Sequence, residues 1–380
     1  MRVSLAIVGG ALVATGLALG AVPGGAVATQ PHVAWTDSFG TTLTGVANAG
    51  SAGVVAGARS TRDDAVWLVR RYAADGAVAW TSRWSPDAAR AAANDVDVDR
   101  DGPIYAVGAV GTLGEYDGGS EWMVRSYRTG GALRWTARGG QACLDTTASA
   151  VAVSGAHVVY VAGHCIRQGI TRSAWVRAFD RSGEQLWMRW VPTPRAAARW
   201  VSLPDVDWDH DEGVFAIGTV AVPTDEPGVF DLDAAVFNVD RSNQVLRTKR
   251  LPEGNSQGSD LGVGIDVQSG LGHAVVHEVA GPSGLVVKVI APDDGPLALG
   301  WQVPLAIEPT TILDRHSQRT FVGGDGSVVA LSRGGNVQFT LAVDGMVRAL
   351  SHDFVETRVW AAGSDPGEGR VWRLLGMDTD

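Results

Sequence analysis

Alternating carboxylates are the first residues in this chain able to do chemistry: Asp97-Val-Asp99-Arg-Asp101-Gly102 matches the start of a calcium loop. Oxygen donors so spaced can converge on a hard cation, and the glycine permits the sharp turn behind them. The Glu that completes a full loop of this kind is missing, because Gly108 stands at its position. Asp101-Gly102 is also an ordinary hairpin turn, and Asp205, Asp207, Asp209 and Asp211 repeat the pattern loosely at a second turn. The turn is the first reading and calcium binding the alternative; the spacing assigns no metal site.

Arg189-Trp190-Val-Pro-Thr-Pro-Arg195, running on to Arg199-Trp200, offers recognition rather than catalysis. Trp and Arg stiffened by proline can stack on a sugar ring or a peptide plane and pair with acidic groups. The plainer alternative has Trp190 ending a strand and Trp200 plugging a groove. His164, Arg167 and Asp145 form another group, in which a His–Asp pair would serve as a general base and a solvated loop His is the alternative. Trp190, Arg195, Arg199, Trp200, His164, Arg167 and Asp145 are therefore read as ligand-binding positions, and no catalytic residue is assigned. His277 reads as a packed strand residue. The sequence contains no H-E-x-x-H, no G-x-S-x-G elbow and no phosphate-cradling loop.

The elements that must carry these groups follow from a repeat. Trp67, Tyr72, Gly76 and Trp80 recur at the same offsets as Trp122, Tyr127, Gly131 and Trp135, and as Ala174, Phe179, Gly183 and Trp187. Each copy is an apolar strand, a turn with Gly for positive φ, and a second strand ending on Trp. A second hairpin lies upstream, as in Asp95–Asp99 turning at Asp101-Gly102 into Ile104–Gly108. Two hairpins in series make a four-stranded meander, and an array of meanders predicts an all-β propeller.

Two markers count the units. A second-strand glycine or its equivalent falls at Gly57, Gly108, Gly163, Gly218, near His277, at Gly323 and at Gly363. A fourth-strand residue falls at Trp35, Trp80, Trp135, Trp187, Arg247, Trp301 and Phe339. Both give seven four-stranded antiparallel blades. Trp35-Thr36 looks like a fourth strand with no first three, and Val371–Leu375 like a third strand with no fourth. The N-terminal strand is therefore expected to pair with the C-terminal blade and close the ring, which removes the sheet edges.

Residues 1–28 read as a secretory signal peptide: Arg2, an apolar stretch, then Ala26-Val27-Ala28. Residues 29–380 are expected to form one seven-bladed domain, secreted and monomeric, with no membrane span after cleavage. The net charge of −10 carries no basic run, so nucleic acid is not expected as a partner. Cys143 and Cys165 are the only cysteines. The hairpin turn at Ser154-Gly155-Ala156 brings them close, and an exported pair so placed is expected to form a disulfide.

The runs Tyr72–Trp80, Tyr127–Trp135 and Phe179–Trp187 resemble the repeats of bacterial quinoprotein-like propellers. Within that superfamily some members bind pyrroloquinoline quinone and oxidise alcohols or sugars, while others are binding or assembly scaffolds. The quinone alcohol dehydrogenases carry vicinal cysteines and tend to eight blades, whereas this chain has separated cysteines and seven counted units. No cofactor is predicted. The expectation is a non-enzymatic propeller binding an extracellular polysaccharide, cell-wall component or protein partner. The alternative is an extracellular lyase, hydrolase or quinone-dependent dehydrogenase with its site at the mouth of the central channel.

Overall fold

The computed structural model describes the chain from Pro31 to Met377 apart from short connecting segments, among them 60–65, 112–118, 194–198 and 252–258. The expected signal peptide lies outside the described residues. Those residues form 26 strands and no helix, hence none long and apolar enough to cross a membrane.

β1 is His32–Phe39. Five four-stranded antiparallel sheets then follow in chain order. The first holds β2 (Thr42–Asn48), β3 (Val54–Arg59), β4 (Trp67–Tyr72) and β5 (Val78–Trp84). The second holds β6 (Arg90–Val98), β7 (Ile104–Gly111), β8 (Glu121–Tyr127) and β9 (Leu133–Gly139). The third holds β10 (Asp145–Val153), β11 (Val159–Arg167), β12 (Thr171–Phe179) and β13 (Gln185–Trp190). The fourth holds β14 (Arg199–Asp209), β15 (Gly213–Pro223), β16 (Phe230–Val239) and β17 (Leu246–Arg250). The fifth holds β18 (Asp260–Gln268), β19 (Leu271–Glu278), β20 (Ser283–Ile290) and β21 (Ala298–Leu305).

A six-stranded sheet takes β22 (Pro309–Arg315), β23 (Arg319–Ser332), β24 (Val337–His352), β25 (Val359–Asp365), β26 (Glu368–Leu375) and finally β1. Its two long strands each serve twice. Residues 319–324 of β23 pair with β22, and 327–331 pair with 337–342 of β24. Residues 346–352 of β24 then pair with β25. The sheet is thus two meanders run together at Val343–Gly345, with Asp325-Gly326 a bend inside the first of them. β1 lies antiparallel to β26, with Trp35 opposite Arg373 and Thr36 opposite Trp372.

The core sits between meanders. Leu43, Val46, Leu68 and Tyr72 of the first sheet pack on Trp360, Ala362 and Val371 of the last. Phe215 and Val236 of the fourth pack on Ile265 and Val276 of the fifth, and similar clusters join the other neighbours. The repeat explains part of this packing. The Trp80 indole Nε1–H donates to Thr129 O at 2.8 Å in the next sheet's turn, and Trp135 Nε1–H donates to Arg181 O at 3.0 Å. A Cβ on Gly131 or Gly183 would lie 2.9 or 2.7 Å from those rings. The tryptophan of one repeat therefore needs the turn glycine of the following repeat.

The second-strand glycine has a different cause. Each first strand bulges opposite the second, and a Cβ on Gly108, Gly163, Gly218 or Gly363 would strike the bulged carbonyl, at 1.9 Å for Gly108. In the first and sixth meanders this position is Ala58 and Gly324, one residue beyond the glycines that the repeat suggests. In the fifth it is Val276, opposite Gly262.

Candidate functional site

The first strands of all the meanders converge on one cavity. It encloses about 360 Å³ and is lined from β2, β6, β10, β14, β18, β22 and the last part of β24. Among its lining groups are Asp95, Asp97, Asp205, Asp207, Asp266 and Arg348.

Strand alternation positions the first four of these carboxylates. Val151 N–H donates to Asp95 Oδ2 at 2.9 Å, and Val153 N–H to Asp97 Oδ2 at 2.6 Å. Two meanders on, Ile265 N–H donates to Asp205 Oδ2 at 2.9 Å, and Val267 N–H to Asp207 Oδ2 at 2.6 Å. Each aspartate thus ties its own first strand to the next one. They face the cavity half-buried, and desolvation by the surrounding protein raises their pKa values despite the N–H donors. Asp97 and Asp205 are raised to about 6, and Asp207 to about 7. Asp95 is raised well above the ordinary range by desolvation and by the Asp205 charge.

The calcium-loop spacing is split by the fold. Asp97 takes part in the strand ties, while Asp99 and Asp101 meet His157, whose ring belongs to the turn of the third meander. His157 Nδ1 lies 2.8 Å from Asp99 Oδ2, and Nε2 lies 3.4 Å from Asp101 Oδ2. One ligand atom from each of these residues falls within 4.8 Å of the others, so the three could hold one ion. The Arg181 guanidinium already stands there, 3.7 Å from Asp99 and 3.4 Å from Asp101.

The aromatic candidates part company. Trp200 is 1% exposed and its Nε1–H donates to Val191 O at 3.1 Å, so it is a core plug. The Arg199 guanidinium lies 4.3 Å from the Phe230 ring. Trp190 is exposed and borders a second cavity of about 450 Å³ between the second and third sheets, with Trp122, Arg177 and Trp175. Arg195 lies outside the described residues. Asp145 accepts from Ser120 Oγ, and His164 lies opposite Thr147 across the β10–β11 pair. Arg167 is opposite Thr171 at the end of β11. Cys143 and Cys165 are joined as a disulfide, Cα–Cα 5.7 Å.

Sequence reasoning reads the aspartates as strand, turn or calcium residues and not as a cavity lining, although Asp95-Val-Asp97 and Asp205-Val-Asp207 stand at the same place in their repeats. It passed over Trp122 and Arg177 as binding groups. The signal for these was Gly139, which stands where the preceding repeat has Trp84.

No family model and no curated protein matches this chain. Solved structures do resemble it. Virginiamycin B lyase from Staphylococcus aureus is similar over 90% of this chain and 99% of that one, at 10% identity and a TM-score of 0.54. Hydrazine synthase from Kuenenia stuttgartiensis is similar over 95% and 100%, at 11% identity and a TM-score of 0.55. Both are β-propeller proteins, and at such identities the likeness is one of fold: this chain is an all-β protein of four-stranded antiparallel meanders with the propeller architecture.

Proposed function

We propose that residues 29–380 form one exported, seven-bladed propeller that acts as an extracellular enzyme of lyase or hydrolase type in its axial cavity. Five separate meanders plus the two fused in the six-stranded sheet support a count of seven blades. The β1–β26 pairing and the packing of Tyr72 against Trp360 support closure of the ring. The signal-peptide pattern and the disulfide support export.

The enzyme reading rests on one observation: three aspartates whose pKa values are raised to about 6 to 7, Asp97, Asp205 and Asp207, share a cavity with Arg348. Such carboxyls can hold and release a proton at working pH, which general acid–base catalysis requires. A solved neighbour named as a lyase supports it by fold analogy alone. Bound pyrroloquinoline quinone, a tricarboxylate, does not fit a cavity lined by Asp95, Asp97, Asp205, Asp207 and Asp266. Calcium at Asp99, Asp101 and His157 would have to displace Arg181, and the donor set suits the internal ion pair better.

The test is turnover by the mature chain across lactones, esters, peptides and acidic and neutral glycans. Asp205→Asn and Asp207→Asn are expected to lower an activity found there by about 100-fold or more while the fold is kept. Unchanged turnover in both variants would remove the cavity from the mechanism. The second reading is the non-enzymatic binder of a glycan, wall component or protein, favoured by the aromatic cavity beside Trp190. Saturable binding of wall fragments with no turnover of any substrate would select it.

A further inference from the structure

The outer groove between the second and third blades lacks an indole that the groove before it carries. At the end of the outermost strand the first blade has Trp84 opposite Trp67. The second blade has Gly139 there, opposite Trp122. In the preceding groove the Trp84 ring lies 4.6 Å from the Arg125 guanidinium, and Arg125 is 8% exposed. Arg177 occupies the same repeat position as Arg125, two residues before Phe179 as Arg125 is before Tyr127. No indole stands at Gly139 to cover it, and the cavity of about 450 Å³ opens in that place.

The lining is chemically unfinished. The Trp122 Nε1–H has no acceptor although its side chain is only 5% exposed, and the Arg177 Nε–H has none either. The Arg177 guanidinium lies 4.6 Å from the Trp122 ring and 5.0 Å from the Trp175 ring. Its Nη1–H donates to Gln185 Oε1 at 2.5 Å, but no carboxylate pairs with it among the described residues. Glu121, the one acid of the lining, is engaged with Arg138 at 3.8 Å. A cation walled by indoles and left with unmet N–H groups calls for an acceptor that carries charge. Exposed Trp190 beside it offers a flat apolar face.

We propose that this groove binds a carboxylate carried on a ring, its oxygens accepting from Trp122 Nε1 and Arg177 Nε and its ring lying on Trp190. Aromatic acids and uronic acids share that chemistry, and the cavity has the size of small-ligand sites. The proposal is independent of the axial cavity. The mature full chain is titrated with benzoate and with galacturonate oligomers while indole fluorescence is followed. Benzamide and neutral galactose oligomers serve as uncharged controls. Saturable binding of at least one acid is expected, about tenfold or more tighter than its uncharged control, and which acid binds identifies the source of the carboxylate. Arg177→Met is expected to weaken that binding by tenfold or more. Gly139→Trp, which places there the ring of the preceding repeat, is expected to abolish it. Melting curves establish that each variant is folded, and Arg177→Met decides alone if the larger residue prevents folding. No saturable binding of either acid, equal binding of acid and control, or wild-type binding by folded Arg177→Met would overturn the proposal.

Discussion

The tryptophan and glycine of the repeat are one device split between neighbours. Trp135 gives its N–H to Arg181 O and lays its ring against Gly183, which holds φ 93°. Trp135→Phe should keep the ring contact and lose the hydrogen bond, costing about 1 kcal/mol. Gly183→Ala meets both the unfavourable φ and a contact of 2.7 Å, and should cost about 1–3 kcal/mol or more. Urea midpoints of the two variants check this ranking; equal midpoints would mean the glycine is not held by the ring. The spacing of these residues was legible in the sequence, but not that the ring and its glycine belong to successive repeats. The same holds for the aspartates. Their period-two pattern marks a strand, whereas their bonds go to the next strand in the ring, which no local pattern encodes. Because Asp97, Asp205 and Asp207 titrate at about 6 to 7 in the fold, above the ordinary value of 3.8, the native state binds these protons more tightly than the unfolded chain. Their contribution to stability is complete below about 3.8 and is lost as pH rises through 6 to 7. Melting midpoints should therefore fall between pH 5 and pH 8, and Asp207→Asn should flatten that fall. A midpoint that rises over this range would remove these carboxylates as the cause.

Elements were legible where turn residues are strong and obscure where strands run on. The first three meanders carry Gly76, Gly131 and Gly183 at their outer turns, and their strands lie where the hairpin pattern puts them. In the last part, Gly326 at φ 64° bends β23 between its two pairings inside one meander, and Gly345 at φ 107° lets β24 bend into the next meander without a loop. The repeat has no signal for such bends. The third meander is further fixed by a covalent tie. The disulfide joins residues 22 apart, from the segment before β10 to the far end of β11. Cross-linking a loop of that length stabilises by about 3 kcal/mol in the chain-entropy account. Cys143→Ser with Cys165→Ser should lower the unfolding midpoint accordingly while leaving the strand content by circular dichroism intact. An unchanged midpoint would show that strand pairing alone holds this hairpin. The pair also lines the outer groove through Cys143, so its loss should loosen the rim of the carboxylate site rather than the axial cavity.

At the scale of the whole molecule, the proposed closure of the ring depends on a strand far from its partners in sequence. β1 pairs with β26 in the last sheet, and it is tied at the same time to the first sheet. Tyr72 Oη–H donates to Asp37 Oδ2 at 2.8 Å, and the Arg70 guanidinium pairs with the same oxygen at 3.1 Å. Arg373, opposite Trp35, reaches across to Ala74 O at 2.6 Å. The lone fourth strand at the start of the sequence and the missing one at its end are complementary, and on that account this long-range pairing was readable before the short-range bends were. Removing residues 29–39 should uncover β26 as an edge of unpaired N–H and C=O groups, and such edges pair with other chains. The shortened chain is expected to melt lower and to form oligomers that grow with concentration in light scattering. A peptide of residues 29–41 added in trans should raise the midpoint and restore the monomer, because it supplies the strand without the covalent link. If the shortened chain stays monomeric with an unchanged midpoint, β1 does not close the ring, and the axial cavity would have to be held by the other six blade contacts alone.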